Sequence, residues 1–215
     1  MQSILASDST QLHLILEFTE MVVTLLITLQ ALFMYRKSRR QHALIVLGWS
    51  MGCFTFISLV GFIGDIHLMG TFNTNWFKYI GQAVCLLFTF LGNVDNSSEY
   101  LNKIIKLQKA ALAGFFLFML AIPILPAFPN GTIQAVVSSS RGVVCLLLLY
   151  QYGSLFLRKP TSFTMLMSIT FLLLVTGYII IIPKFVLPHQ DLLCNEGDLV
   201  RIFAFVILFI AYGRL

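Results

Sequence analysis

Long blocks of apolar residues alternate with short polar stretches along the whole chain. Each block approaches the roughly 20 residues that an α-helix needs to cross the hydrocarbon core of a bilayer. Runs such as LLITLQALFMY and FVILFIAY lack the strict alternation of transmembrane β-strands. The pattern predicts an all-α polytopic membrane protein in which residues 1–215 form one domain of seven transmembrane helices. Their predicted ranges are near 12–35, 43–66, 76–98, 110–128, 132–156, 162–187 and 198–214.

The composition agrees with a membrane protein. Hydrophobic residues make up 58% of the chain and charged residues only 11%, whereas soluble domains contain about 25% charged residues. The formal net charge is +5, but the basic residues form short clusters at helix ends and lack the interleaved aromatics of a nucleic-acid-binding face. We therefore expect the lipid bilayer as a partner, with anionic lipid attracting these clusters, and no nucleic acid.

Lysine and arginine occur at alternate ends of the predicted helices. They cluster at positions 36–40, 103–109, 158–159 and 214, whereas the connections GTFNTN, FPNGT and PHQDLLCNEGD contain neither residue. Basic connections of membrane proteins stay on the cytoplasmic side. The sequence therefore predicts an N-terminus outside the cell and a cytoplasmic C-terminus.

Polar residues inside the predicted helices concentrate in the outer half of the membrane. A charge within a span usually faces a bundle interior or a wet cavity, because it costs roughly 2.5–3.5 kcal/mol when unpaired at a helix centre. The outer residues that we assign to ligand binding are Glu17, Glu20, Asp65, Gln82, Ser138, Arg141, Lys184 and Arg201. The residues near the cytoplasmic side that we assign to signalling are Asp95, Glu99 and Gln151.

Arg141 lies in the outer half of predicted helix 5, in the stretch SSSRGVVC. Glu17 and Glu20 share a face of helix 1 at a similar depth, so we expect one of them to pair with Arg141. Two interpretations stay open. Arg141 either forms a buried ion pair that docks helix 5 on helix 1, or lines an outward-open pocket with Lys184 and Arg201. A guanidinium suits the recognition of a carboxylate or phosphate in such a pocket.

The polar segment 93–109 predicts that helix 3 continues beyond the membrane as a cationic amphipathic turn. Asp95 and Glu99 are four residues apart on one face of that helix. Lys103 follows Glu99 at the same spacing, in the order that favours an ion pair. A solvated helix end and a signalling contact both agree with this pattern.

Motifs for catalysis and for metal binding are weak. The chain has no HExxH, GxSxG or Walker sequence, so we assign no catalytic residue, no metal ligand and no cofactor. A metal-dependent membrane hydrolase stays as a further alternative. The spacings that would suit it are His13 with Glu17, Asp65 with His67, and His189 with Asp191.

Two helix starts carry a resemblance to a known family. They are GDLVRIFAFVILFIAYGRL (197–215) and WFKYIGQAVCLLF (76–88). Together with the topology they make the chain similar to the seven-helix input domains at the N-termini of bacterial membrane histidine kinases and related signalling proteins. The resemblance implies a bacterial-type inner membrane, a small-molecule ligand, and a cytoplasmic output module or partner protein beyond Leu215. A homodimer is one assembly that it allows.

The sequence therefore predicts a sensor or receptor-like domain. Such a domain binds a small polar-headed or anionic ligand in its outer half and signals through helix 7. A small-solute transporter or channel is the alternative. It requires a continuous polar path from the outer residues to Asn93, Asp95 and Gln151.

Overall fold

The computed structural model describes residues 2–38, 42–66, 73–95, 97–126, 128–186 and 191–214; the side chains at 2–10, 38, 42, 186 and 191–194 lie outside that description. All regular structure in these residues is helical, which confirms the all-α class. The helices are α1 (Gln2–Ser38), α2 (His42–Asp65), α3 (Asn75–Leu91), α4 (Ser98–Ala121), α5 (Gly131–Arg158), α6 (Ser162–Val186) and α7 (Asp191–Gly213). A short 3-10 helix, Ile122–Ile124, follows α4.

Five of these helices are long and apolar enough to cross a membrane. They are α1, α2, α4, α5 and α6, and they make the chain a multi-pass membrane protein. Helix α3 is shorter, with 17 residues, and α7 carries Glu196, Asp198 and Arg201 in its first half. Spanning by α3 and α7 therefore stays a prediction.

The boundary between the third and fourth helices differs from the sequence-based one. Residues 93–109 do not extend α3; that helix ends at Leu91, and α4 begins at Ser98. Between them, Asp95 Oδ1 accepts a hydrogen bond from the Ser97 backbone N–H at 2.9 Å, and Asp95 Oδ2 accepts one from the Ser97 hydroxyl at 2.7 Å. An aspartate that bonds to nearby backbone in this way competes with continued helix, which explains the break.

This break changes the predicted charged face at the start of α4. Asp95 and Glu99 do not share a helix, so their expected common face is wrong. The pair of Glu99 with Lys103 is confirmed, with 2.7 Å between Lys103 Nζ and Glu99 Oε1. Both side chains are exposed, at 82% and 70%.

Six helices contact one another in a closed ring, in the order α1, α2, α3, α5, α6, α7 and back to α1. Helix α4 packs outside this ring, against α2 and α3. Large side chains fill the ring: Phe54, Phe171 and Phe205 are almost completely buried. The rings of Phe54 and Phe205 meet edge to face with centroids 5.4 Å apart. Such close interlocking is what fixes helix positions in a protein interior.

Contacts near both ends of the bundle show the relative direction of the helices. Gln82 of α3 contacts Arg141 of α5, and Gln151 further along α5 contacts Asn93 in the turn after α3. Helices α3 and α5 are therefore parallel. In the same way His13 contacts Asp198 near the starts of α1 and α7, and Gln30 lies against Gly213 near their ends. Helices α1 and α7 are parallel too, as an up-and-down bundle of seven helices requires.

This arrangement brings the basic segments to one end of the bundle, which we call the basic end. It contains the end of α1, the start of α4, and the ends of α5 and α7. The basic residues there include Arg36, Lys103, Arg158 and Arg214. The far end contains the ends of α2 and α6 and the starts of α3, α5 and α7.

Glycine permits close contact between helices at two places. In the sequence GWSMG, a Cβ on Gly48 would lie 3.0 Å from Leu32 Cδ2, and one on Gly52 would lie 3.3 Å from Thr28 Cγ2. This is the GxxxG arrangement by which membrane helices approach closely. Between α6 and α7 the backbones themselves meet, because a Cβ on Gly177 would lie 2.9 Å from the carbonyl oxygen of Gly197.

Candidate functional site

Polar and charged side chains from all six helices of the ring meet at the far end. We call this set the buried polar cluster. It comprises His13, Glu17, Glu20, Asp65, Lys78, Tyr79, Gln82, Ser138, Arg141, Tyr178, Asp198 and Arg201. Most of its members are less than 10% exposed, whereas His13 (26%) and Asp65 (31%) form its accessible rim.

Seven of these residues form a continuous series of ion pairs that joins four helices. In order of contact they are Asp65, Lys78, Glu17, His13, Asp198, Arg201 and Glu20. Acidic and basic side chains alternate along this series, so Lys78, His13 and Arg201 each lie between two carboxylates. The series therefore holds α2, α3, α1 and α7 together at the far end.

Lys78 connects the first three helices of this series. Its ammonium group binds Glu17 and lies 3.2 Å from Asp65 Oδ2. The lysine side chain reaches this position along Gly61, where a Cβ would lie only 2.9 Å from Lys78 Cδ. A small residue in α2 thus gives the apolar part of the lysine room while its charge stays within the cluster.

His13 and Arg201 connect α1 to α7. His13 Nδ1 is 2.8 Å from Asp198 Oδ2, and its Nε2 is 3.4 Å from Glu17 Oε1. Both ring nitrogens face carboxylates, an arrangement that is satisfied when both carry a hydrogen. Arg201 binds Asp198 and lies 3.2 Å from Glu20 Oε2. Two separate ionic contacts therefore dock α7 on α1.

Arg141 is not part of the ion-pair series. Its Nη1 donates to Gln82 Oε1 at 2.6 Å, its Nε donates to the Ser138 carbonyl at 3.2 Å, and its Nη2 donates to the Ser138 hydroxyl. Its guanidinium carbon lies 4.5 Å from the ring centre of Tyr79 and 4.7 Å from that of Tyr178. Among the described residues no carboxylate lies within ion-pair distance of Arg141. The expected pair with Glu17 or Glu20 is therefore wrong.

The order of helices in the ring explains this difference. Helix α1 contacts α2 and α7, whereas α5 contacts α3 and α6. The carboxylates of α1 consequently pair with cations of α3 and α7, and Arg141 of α5 finds its partners on α3 and α6. Gln82 is itself held by a hydrogen bond that its Nε2 donates to Ser58 Oγ at 3.1 Å. Aromatic faces supply further attraction to the buried cation.

Tyr178 lies between the two arginines. Arg201 lies 5.1 Å from the centre of its ring, so both guanidinium groups contact the same aromatic side chain. Four carboxylates are present in the cluster, against three permanent cations and His13. The excess negative charge of the ion-pair series offsets the charge of Arg141 without direct contact, because Coulomb interactions extend over several ångströms in a low-dielectric interior.

Two carboxylate oxygens in the cluster are buried without a hydrogen-bond partner among the described residues. They are Glu17 Oε2 and Glu20 Oε1. Buried polar atoms are nearly always paired, and an unpaired one costs about 1–3 kcal/mol, more when it is charged. These two oxygens can therefore accept hydrogen bonds from a group that enters the cluster.

The structure brings most of the predicted outer residues together. Of the residues assigned to ligand binding, Lys184 lies apart from the contacts just described, partly buried in the last turn of α6. Five members of the cluster are absent from that assignment: His13, Lys78, Asp198 and the two tyrosines. From the sequence, Tyr79 is expected to be an aromatic residue at the membrane interface. Tyr178 lies in an otherwise apolar span. A tyrosine within a span, beside Gly177, is the signal that could have identified the second.

The residues assigned to signalling lie at the basic end. Gln151 Nε2 donates to the backbone oxygen of Asn93 at 2.6 Å and so joins α5 to the turn after α3. Asp95 orders the same turn, and Glu99 pairs with Lys103 on the exposed surface of α4. Their assignment to signalling stays a prediction.

A metal site is poorly supported by the same geometry. Ligand atoms of His13, Glu17 and Asp65 lie within 4.8 Å of one another. However, the ammonium group of Lys78 already binds both carboxylates, and a metal ion would have to displace it. His67 and His189, and the side chain of Asp191, lie outside the described residues.

No protein-family model, curated protein or solved structure was found to match this chain. The similarity to histidine-kinase input domains therefore rests on topology and on the two helix starts alone. The buried polar cluster is therefore the feature of the chain that points to a function.

Proposed function

We propose that this protein is a seven-helix sensor or receptor-like domain that binds a small carboxylate-bearing solute in the buried polar cluster. In this proposal all seven helices span the membrane, with the N-terminus outside and the basic end in the cytoplasm. The grouping of basic residues at one end supports that orientation. The parallel course of α1 and α7 supports an odd number of crossings.

The environment of Arg141 is the observation on which the proposal depends. A guanidinium has five N–H donors, and the contacts with Gln82 and Ser138 use three of them. Because no carboxylate of the described residues pairs with this buried cation, Arg141 can bind the carboxylate of a ligand. The free oxygens of Glu17 and Glu20 add acceptors for a hydroxyl or ammonium group. The best match is therefore a hydroxy acid or an amino acid, which carries both kinds of group.

Access to Arg141 couples binding to helix movement. The residue is only 2% exposed, so a solute reaches its guanidinium only when the helices around it separate. The rim residues His13 and Asp65 lie on α1 and α2, and His13 also holds α7 through Asp198. A solute that binds the separated form more tightly shifts the equilibrium towards it, which is the requirement for a ligand-driven switch.

Helix α7 is the proposed route of the signal. Its first half carries Asp198 and Arg201, which dock it on α1, and its last turn lies at the basic end. Loosening these contacts allows α7 to move relative to α1. A cytoplasmic output module, or a separate partner protein, would read that movement. No catalytic activity is proposed for the chain itself.

Transport is less well supported. A solute path would have to connect Arg141 to Gln151 along α5. The residues between them that face the interior are Cys145 and Leu148, both completely buried, and Leu86 of α3 is completely buried as well. This apolar layer interrupts the polar path that a transporter or channel needs.

The test compares Arg141→Met with the unaltered protein, both purified in detergent. The thermal unfolding midpoint is measured with lactate, serine, acetate and inorganic phosphate, at ionic strength matched with chloride. We expect lactate or serine to raise the midpoint of the unaltered protein, since a ligand that binds only the folded state stabilises it. Acetate should act less strongly because it lacks the donor for Glu17 and Glu20.

Arg141→Met should remain folded, because replacing a buried charge by an apolar side chain of similar size is often neutral or stabilising. Its midpoint should no longer respond to the same solutes. Lys103→Met, which removes an exposed cation at the basic end, should respond as the unaltered protein does. A response that survives in Arg141→Met, or no response of the unaltered protein to any of the solutes, would contradict the proposal.

A further inference from the structure

An apolar groove runs along the outside of the bundle between α1 and α4, with α2 as its floor. It has a volume of about 320 Å³. Thr28 and Leu32 form one wall, Leu112 and Phe116 the other, and Gly52 and Trp49 lie at the floor. The groove exists because α4 packs outside the ring, and because the glycines of GWSMG carry no side chain to fill the space.

The groove walls offer almost nothing polar. The hydroxyl of Thr28 donates to the backbone oxygen of Thr24 at 2.9 Å and is satisfied within its own helix. An apolar occupant is therefore expected. The groove is open to the outside of the bundle, and its apolar walls suit a flexible hydrocarbon chain.

Basic side chains continue both walls of the groove in the direction of the basic end. Arg36 follows Leu32 by four residues on α1, so it lies on the helix face that forms the first wall. Lys109 precedes Leu112 by three residues and Phe116 by seven on α4, so it lies on the helix face that forms the second wall. Both are exposed. Unlike Lys103, which pairs with Glu99, neither forms an ion pair with a described residue.

We propose that this groove is a binding site for an anionic phospholipid, with an acyl chain along α2 and the phosphate between Arg36 and Lys109. The apolar walls bind the chain, and the two cations attract the headgroup. Each basic side chain near a membrane surface favours anionic over neutral lipid by about five-fold. This site is independent of the buried polar cluster, so it can be tested whatever the cluster binds.

Trp49 provides a direct probe, because it lines the groove and is 37% exposed. The chain has two tryptophans, and the other, Trp76, stacks on Phe128 at the far end. A Trp76→Phe variant is reconstituted in phosphatidylcholine vesicles with increasing fractions of brominated phosphatidylglycerol or brominated phosphatidylcholine. Bromine quenches tryptophan fluorescence on contact. We expect half-maximal quenching of Trp49 at a lower fraction of the anionic lipid, by about five-fold for each cation and so by up to about 25-fold.

Matched variants connect this preference to the two cations. In the Trp76→Phe background, Arg36→Gln with Lys109→Gln should abolish the preference for phosphatidylglycerol, whereas Lys103→Gln should retain it. In a Trp49→Phe protein the remaining tryptophan is Trp76 at the far end. Its fluorescence should be quenched equally by the two lipids.

Three results would overturn the proposal. Equal quenching by both lipids would remove the anionic preference. Weak quenching by both would indicate that protein, such as a second copy of the chain, covers the groove. If Lys103→Gln reduced the preference for phosphatidylglycerol as much as the double variant does, the overall charge of the protein would be what attracts the lipid. Circular dichroism of each variant ensures that folded proteins are compared.

Discussion

The pair between Glu20 and Arg201 is one of the two ionic contacts that dock α7 on α1. Both side chains are almost fully buried, and Arg201 Nη2 lies 3.2 Å from Glu20 Oε2. We consider the substitution Glu20→Gln, which keeps the shape of the side chain and removes its charge. Arg201 keeps Asp198 as a partner after this change.

The expected cost follows from distance and burial. Two unit charges at 3.2 Å attract by about 5 kcal/mol at an effective dielectric constant of about 20. The glutamine oxygen retains a neutral hydrogen bond, and Asp198 continues to compensate Arg201, so only part of this energy is lost. Removing one partner of a buried pair costs about 3–5 kcal/mol in measured cases. We expect a loss near the lower limit, about 3 kcal/mol of unfolding free energy.

A double-mutant cycle isolates the pair from the rest of the cluster. Glu20→Gln, Arg201→Gln and the double variant are unfolded by sodium dodecyl sulfate in mixed micelles and followed by circular dichroism. The coupling energy should be at least about 1.5 kcal/mol, within the range for residues in direct contact. The exposed pair of Glu99 and Lys103 is the matched control, and its coupling should be about 0.3–0.5 kcal/mol.

A coupling below about 0.5 kcal/mol between Glu20 and Arg201 would refute the reasoning. It would mean that Asp198 alone compensates Arg201 and that the charge of Glu20 does not hold α7. The proposed signal route through α7 would then lose the contact that a ligand has to loosen.

Two further predictions concern the same region. Gly177→Ala should lower the unfolding free energy by about 1–3 kcal/mol through overpacking against α7. Gly114→Ala should not lower it, because a Cβ at Gly114 meets nothing within 4 Å. Unfolding in sodium dodecyl sulfate measures both variants. Gln82→Leu should cost about 1.5–3 kcal/mol because Arg141 loses a buried acceptor. The double variant Gln82→Leu with Arg141→Met should recover most of that loss, and failure to recover would contradict the role of the hydrogen bond.

The proposed function gives the buried polar cluster two roles that the sequence presents as alternatives. The ion-pair series through Lys78, His13 and Arg201 docks four helices and is structural. Arg141 lies beside this series with neutral partners, and is the member best placed to receive an anionic group. One set of residues can therefore hold the bundle together and leave a cation for a ligand.

Much of the architecture follows from local properties of the sequence. Apolar blocks long enough to span a bilayer must be helical, because lipid cannot satisfy exposed backbone groups. Charges within such helices must face the interior, so the outer residues could be expected to meet before their positions were known. Glu99 and Lys103 could be paired from spacing alone, since one helix fixes their separation.

Only the tertiary structure decided which of these residues pair with one another. Arg141 and Glu20 have similar depth, but α5 and α1 are not neighbours in the ring, and the neighbours of each helix supply its partners. The groove beside Trp49 likewise depends on where α4 packs. The hydrophobic pattern states which residues face inwards, and it carries no information on the order of helices around the bundle.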